Sequence, residues 1–187
     1  MPMSFSRLFL PKAISEAAHN AYVVLAEYSR APRFYRDLGV ADTLDGRFDM
    51  MALVIGLAIR RLNQDQTVTG KQSKNRHRLA QELFDYMFDD MDRALREMGV
   101  GDLSVGKKIK KMAHAFYGRV DAYGKALDTG DRAALIEALQ RNLYRGVAPT
   151  DEVQAKMADE VEALAAQYAA VPIDDWLSKQ LVLEARA

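Results

Sequence analysis

The chain lacks cysteine, any excess of charge of one sign, and any long apolar run. The absence of cysteine excludes disulfides, thiolate nucleophiles and cysteine-rich zinc sites, and it fits a reducing compartment. The 26 Lys and Arg residues are balanced by 26 Asp and Glu residues. Attraction to nucleic acid is therefore not built into the whole molecule, and a basic patch must act locally.

The most apolar stretch, MMALVIGLAI, ends after ten residues at Arg60. A membrane-spanning helix needs about 20 apolar residues, so this stretch predicts a helix buried inside a bundle. No targeting segment is recognisable at the start of the sequence. We therefore expect a soluble cytoplasmic protein whose only membrane contact is peripheral and salt-sensitive, at the cytoplasmic face of the inner membrane.

Proline is scarce, with five residues at positions 2, 11, 32, 149 and 172. Apolar residues recur at spacings of three and four, and no stretch alternates with period two as a strand would. The sequence predicts an all-α fold, a single-domain bundle of about six to eight helices over residues 1–187. The predicted helical segments cover residues 15–30, 34–38, 43–63, 80–98, 105–127, 131–146, 150–168 and a short stretch after 172. Residues 63–75 are predicted to be a polar connector.

The sequence contains no recognisable catalytic or cofactor motif. Its three histidines, His19, His77 and His114, lack the H-x-x-x-H spacing that places two ligands on one helical face, and the one E-x-x-H pair, Glu16 with His19, has no second such pair to complete a metal site. No C-x-x-C-H motif for haem accompanies them, and no G-x-S-x-G or P-loop pattern is present. We predict no catalytic residue, no metal site and no cofactor.

An aspartate-rich segment supports one alternative, an enzyme. FDYMFDDMD places Asp85 and Asp89 four residues apart on one helical face, where two carboxylates can hold Mg²⁺ against a diphosphate. Mg-diphosphate-dependent prenyl transfer or a quinone-pathway reaction would also need a second acidic cluster and a deep apolar cavity. The sequence shows no second acidic motif, and Arg93 and Arg96 at helical spacing favour a solvated amphipathic face.

Four lysines fall within five positions of GKKIKKMAHAFYGR, and we call them the basic turn (Lys107, Lys108, Lys110 and Lys111). The apolar stripe of the same helix faces inward, so the lysines point outward. We predict that they fill the first turns of the helix, where the macrodipole disfavours cations and free N–H groups favour anions. The basic turn therefore predicts an interaction surface for RNA, an acidic lipid headgroup or an acidic protein. Sequence-specific nucleic-acid binding is not expected, since no known module accompanies it.

The segment around the basic turn resembles the central signature of the ubiquinol–cytochrome c chaperone family. The matching positions of this central block are Asp90, Met98-Gly99-Val100, Lys107-Lys108, Met112, Phe116-Tyr117 and Tyr123. An upstream block follows the family's spacing at Phe34-Tyr35, Asp42-Thr43, Phe48, Leu53 and Arg61-Leu62. Together the blocks span about residues 34–145. Val54 and Gly56 stand where eukaryotic members carry His and Trp, a difference that indicates a bacterial member.

The resemblance implies an all-α, non-enzymatic chaperone that binds newly made cytochrome b during assembly of respiratory complex III. The implied partners are cytochrome b or a complex III assembly intermediate, a small helical partner protein, the ribosome and the membrane surface. The expected partner-binding residues are Asp42, Asp90, Lys107, Lys108, Lys110, Lys111, Tyr117, Arg119 and Tyr123. Tyr117 and Arg119 lie off the inner stripe of their helix, so we expect their loss to spare folding. A haem-carrying role for the histidines is a weaker extension, because no paired-histidine spacing supports it.

Overall fold

The computed structural model of the protein describes residues 11–64, 69–178 and 181–183. Within these ranges the chain forms eight α-helices and no strand. The helices are α1 (Lys12–Ser29), α2 (Pro32–Arg36), α3 (Leu44–Gln64), α4 (Gly70–Glu97), α5 (Asp102–Thr129), α6 (Arg132–Asn142), α7 (Asp151–Ala170) and α8 (Ile173–Ser178). The predicted all-α single-domain bundle is confirmed.

Helix α3, which carries the most apolar stretch of the sequence, is the central helix of the bundle. Helices α1, α4, α5 and α7 all contact it, and every residue from Phe48 to Ile59 is buried. The predicted buried helix is therefore confirmed. Because neighbours cover all its sides, the middle of α3 needs no polar face. Asp49 is the one charged residue in that buried range.

Helix α4 begins earlier than the sequence predicts. Its first residue is Gly70, so the second half of the predicted polar connector, residues 63–75, is helical and that part of the prediction is wrong. Residues 65–68 of the connector lie outside the described residues. The first turn of α4 is polar, and Arg76 and Leu79 are its first buried side chains. Without an apolar stripe, periodicity gives no sign of a helix there.

Helices α3 and α5 cross at close range, and two glycines permit the contact. A Cβ atom on Gly56 of α3 would lie 2.4 Å from Val120 Cγ2, and one on Gly124 of α5 would lie 2.5 Å from Arg60 Nε. A larger residue fits at either position only if its neighbour shifts. Helices that cross at a close contact diverge on both sides of it, so a groove opens between α3 and α5 on each side.

A buried carboxylate ties α3 to α5 and to the loop after α6. Asp49 Oδ1 forms a salt bridge with Arg119 Nη2 at 2.8 Å and accepts a hydrogen bond from Arg145 Nη2 at 3.1 Å, and Arg145 Nε donates to the other oxygen. Burial raises the pKa of the Asp49 carboxyl, whereas the hydrogen bond from Arg145 and the charge of Arg119 lower it. The backbone φ of Arg145 is 52°, a left-handed conformation that costs a non-glycine residue about 1–2 kcal/mol. The ion pair holds this loop in place.

We expect Gly56→Ala to destabilise the fold, although alanine has the higher helix propensity. The added methyl group meets the β-branched side chain of Val120, and overpacking of this kind costs about 1–3 kcal/mol. Gly118→Ala in α5 is the matched control, because its Cβ would meet nothing within 4 Å and the propensity gain of up to about 1 kcal/mol is the same. Urea denaturation should place the two variants about 1–3 kcal/mol apart. Equal free energies of unfolding would contradict the close crossing.

Replacing Asp49 with Asn should lower the free energy of unfolding by roughly 3–5 kcal/mol, because the Arg119 guanidinium would be left partly buried without its countercharge. The control is Asp45→Asn. The Asp45 side chain also binds Arg145, at 3.1 Å, but it is 65% exposed, and exposed pairs contribute little. Urea denaturation of both variants checks this. If Asp49→Asn were as stable as Asp45→Asn, the buried network would not be needed for folding.

Candidate partner-binding groove

The groove that opens between α3, α5 and the end of α4 combines an apolar floor with a charged rim. We call it the basic groove, and its volume is 260 Å³. The floor residues are Leu44, Phe48, Leu95, Met112 and Ala115. The rim residues are Lys108, Lys111, Arg119, Arg145 and Asp45. A concave surface of this kind favours a ligand that presents apolar side chains beside negative or hydrogen-bond-accepting groups.

Phe48 of the floor and Arg119 of the rim are held in place by contacts with their neighbours. The five α5 residues that line the groove are separated by three, one, three and four positions, so they share one side of that helix. The ring of Phe48 meets the edge of Phe88, with 6.2 Å between centroids, and the Arg119 guanidinium lies 5.6 Å from the Phe48 centroid. Arg119 is therefore held by both the Asp49 carboxylate and an aromatic face.

All four lysines of the basic turn are exposed, and none makes an ion pair within the described part of the chain. Their predicted place in the first turns of the helix is wrong, because α5 begins at Asp102 and the lysines fall in its second and third turns. The macrodipole acts mainly within the first turn, which carries the acidic Asp102, so dipole repulsion does not set the lysines apart. Their unpaired exposure is the feature that indicates an interaction surface.

The basic turn divides between two sides of α5. Lys108 and Lys111 line the basic groove, whereas Lys107 and Lys110 do not. At about 100° per residue, Lys107 and Lys110 lie on the adjacent outer side of the helix. The four lysines therefore lie on two different surfaces, although the sequence predicts a single one.

Tyr117 lies on a third side of α5, away from the basic groove. Its side chain is 60% exposed and stacks on Phe84, with 5.5 Å between ring centroids. It lines the other groove at the α3–α5 crossing. This groove has a volume of 370 Å³ and is also lined by Ile59 and Gly124. We call this second groove the Tyr117 groove. Because its aromatic ring is exposed, Tyr117 remains a predicted partner-contact residue.

Two residues expected at the partner surface have structural roles in the bundle. Arg119 has a side-chain exposure of 12% and pairs with the buried Asp49. In contrast to the prediction from the sequence, we therefore expect its loss to weaken the fold. Tyr123 is fully buried, seven residues after Phe116 on the same helical face, so it cannot touch a partner. Burial raises the pKa of the Tyr123 hydroxyl, which has no hydrogen-bond partner in the described part of the chain.

Asp42 and Asp90 do not line the basic groove. Asp42 is exposed and accepts a hydrogen bond from Arg47 Nε at 2.7 Å. Asp90 accepts a hydrogen bond from the Tyr22 hydroxyl and lies 3.6 Å from Arg30 Nη2, contacts that join α4 to α1. Burial, followed by the hydrogen bond to Asp90, raises the pKa of Tyr22, so the hydroxyl stays a donor. Asp90 is bound into the bundle, and Asp42 remains a predicted contact residue.

Sequence reasoning missed most of the basic groove. Leu44, Leu95 and Arg145 belong to separate helices or loops, and each fits an ordinary local role. Phe48 could have been singled out, because it matches a position of the upstream family block. Nothing in the sequence pattern, however, places it beside the basic turn. The fold alone brings these side chains together.

The arrangement required by the enzyme alternative is not found among the described residues. Asp85 is half-buried and Asp89 is exposed, and neither lines a groove at the α3–α5 crossing. Within residues 11–64, 69–178 and 181–183, no group of three or more His, Cys, Asp or Glu side chains is placed to hold a metal ion. His19, His77 and His114 lie on three different helices.

Comparison with known proteins shows which family has this architecture. A family model described as "Ubiquinol-cytochrome C chaperone" matches residues 36–183, a range that contains the whole basic groove. The crystal structure of the Cbp3 homolog from Brucella abortus is similar, with 33% sequence identity, a TM-score of 0.79, and coverage of 97% of this chain and 94% of that chain. No curated protein sequence matches the chain.

The family match confirms the resemblance drawn from the two sequence blocks. It also runs beyond residue 145, where the joint span of the two blocks ends, and includes α7 and α8. The similar crystal structure covers nearly the whole chain. This chain belongs to the ubiquinol–cytochrome c chaperone family.

Proposed function

We propose that the protein holds newly made cytochrome b, or a complex III assembly intermediate that contains it, in the basic groove. The observation that carries this proposal is an apolar floor beneath a mainly cationic rim, built on a rigid part of the bundle. Membership of the family supports the class of client, a component of ubiquinol–cytochrome c reductase. The proposal includes no catalytic step.

The size of the basic groove favours an anchor for side chains over a site for a complete helix. Its 260 Å³ is slightly below the range of about 300–1,000 Å³ that is typical of small-molecule sites. It therefore admits one or two apolar side chains from one face of a client helix, at the spacing that helix-in-groove recognition uses. Covering such side chains protects an incomplete membrane protein from aggregation.

The charged residues of the rim would orient a bound client. Lys108 and Lys111 make no ion pair in the described part of the chain, so they can bind a client carboxylate without first releasing one. Arg145 is anchored by Asp49 and Asp45, which limits its movement. Charge complementarity of this kind steers association and sets the binding register more than it adds affinity.

The Tyr117 groove offers a separate surface for a second protein. It shares no lining residue with the basic groove, because the close contact of α3 and α5 separates the two. A small helical partner can therefore occupy the Tyr117 groove while a client occupies the basic groove. Contact with the ribosome rests on the family resemblance, and we assign no surface to it.

Deletion of the gene should lower assembled complex III without changing the transcripts of its subunits. The parent chain should restore complex III, whereas Lys108→Glu/Lys111→Glu should lower client binding by roughly tenfold or more, because two rim charges change sign. Difference spectra of cytochrome b and its co-purification with the tagged chain measure the two effects.

The charge-matched control is Lys12→Glu/Lys156→Glu, which changes two exposed lysines outside the groove. It should restore complex III as the parent does. Both double variants should melt close to the parent because the substituted side chains are exposed. Full recovery of spectroscopically intact cytochrome b with Lys108→Glu/Lys111→Glu would contradict the assignment of the groove.

A further inference from the structure

Two apolar side chains project into solvent where α4 meets α5. Leu103 is 88% exposed and Met98 is 65% exposed, in the same short region as the basic turn. Single exposed apolar residues are common on protein surfaces. Here, however, both lie in the same stretch of sequence, residues 98–111, as four lysines that have no ion-pair partner in the described part of the chain.

The helical periodicity places Leu103 on the outer side of α5 with part of the basic turn. Leu103, Lys107, Lys110 and His114 follow one another at intervals of four, three and four residues, so they form one stripe. We call this stripe, together with Met98, the outer face. The buried side chains of α5, including Ile109 and Phe116, point to the opposite side.

The charge of the outer face is positive, because Lys107 and Lys110 outnumber Glu97, the exposed acidic residue that precedes Met98 and makes no ion pair in the described part of the chain. Asp102, at the start of α5, is bound by Arg96, which is also paired with Asp92. Lys107 and Lys110 are therefore free to attract an anionic surface.

We propose that the outer face binds the surface of a bilayer that contains acidic phospholipid. The ammonium groups of Lys107 and Lys110 would lie at the headgroups, and the side chains of Leu103 and Met98 would enter the boundary of the acyl chains. No helix in the described ranges is long and apolar enough to cross a membrane, so this contact is peripheral. The inference is independent of which client the basic groove holds.

A lipid surface fits these residues better than a protein surface. A stable protein interface buries about 800 Å² per partner around an apolar centre, and two separate side chains at a helix junction do not supply such a centre. A bilayer requires only shallow insertion of a few side chains beside basic residues. Lysine side chains, which are flexible, also suit mobile lipid headgroups.

This contact would place the basic groove beside the membrane. Lys108 and Lys111, on the rim, lie on the side of α5 next to the outer face. A protein seated on its outer face would therefore present the groove at the level where a membrane-inserted client leaves the bilayer.

Flotation with protein-free vesicles tests the inference on the full chain. We expect binding to vesicles of phosphatidylcholine mixed with phosphatidylglycerol, release by high salt, and no binding to phosphatidylcholine alone. Lys107→Glu/Lys110→Glu should lower the partition coefficient more than about tenfold, since each lysine near an acidic surface contributes roughly fivefold. Leu103→Ser should lower it by roughly threefold to tenfold at any salt concentration.

The control is again Lys12→Glu/Lys156→Glu, which changes the net charge by the same amount elsewhere and should bind acidic vesicles as the parent does. Absence of vesicle binding by the parent chain would overturn the inference. An acidic protein would then be the alternative ligand of the outer face. Equal loss of binding in the control variant would overturn it as well, because binding would then follow net charge alone. Neither outcome affects the cytochrome b spectra that test the basic groove.

Discussion

The buried carboxylate of Asp49 is the constraint on which the arrangement around the grooves depends. A carboxylate in the interior of a bundle is stable only with countercharges, and Asp49 has two, Arg119 from α5 and Arg145 from the loop after α6. These contacts connect the central helix to two other segments at one point. They also bring both guanidinium groups to the rim of the basic groove, so one interaction supports the fold and supplies part of the rim.

The close crossing of α3 and α5 separates the basic groove from the Tyr117 groove. Gly56 and Gly124 bring the helices into contact, and beyond the contact the helices diverge into the basic groove on one side and the Tyr117 groove on the other. The outer face of α5 lies next to the basic groove. We propose that this one helix carries an anchor for a client, a surface for a partner and a surface for the membrane, a combination that suits a chaperone for a membrane-protein complex.

The sequence predicted the features that depend on local pattern. The all-α bundle, the burial of α3 and the exposure of the basic turn follow from periodicity and composition, and the family follows from two spaced blocks of residues. The start of α4 at Gly70 was missed because its first turns carry no apolar stripe. Arg119 was misjudged because helical spacing does not reveal a buried Asp49 on another helix, and the groove floor was missed because its residues meet only in three dimensions. Tyr123 was placed at the surface by resemblance, against its position on the inner stripe.

The central claim is that the basic groove contacts cytochrome b. Photo-crosslinking in cells that assemble complex III tests it directly, with a photoreactive amino acid placed at Lys111 on the groove rim or at Lys156 on α7 as the control position. Both side chains are exposed, so neither substitution should disturb the fold. We expect mass spectrometry to identify cytochrome b in the crosslinked product from position 111 and not from position 156. Equal crosslinking from both positions, or crosslinking to cytochrome b from position 156 alone, would contradict the account.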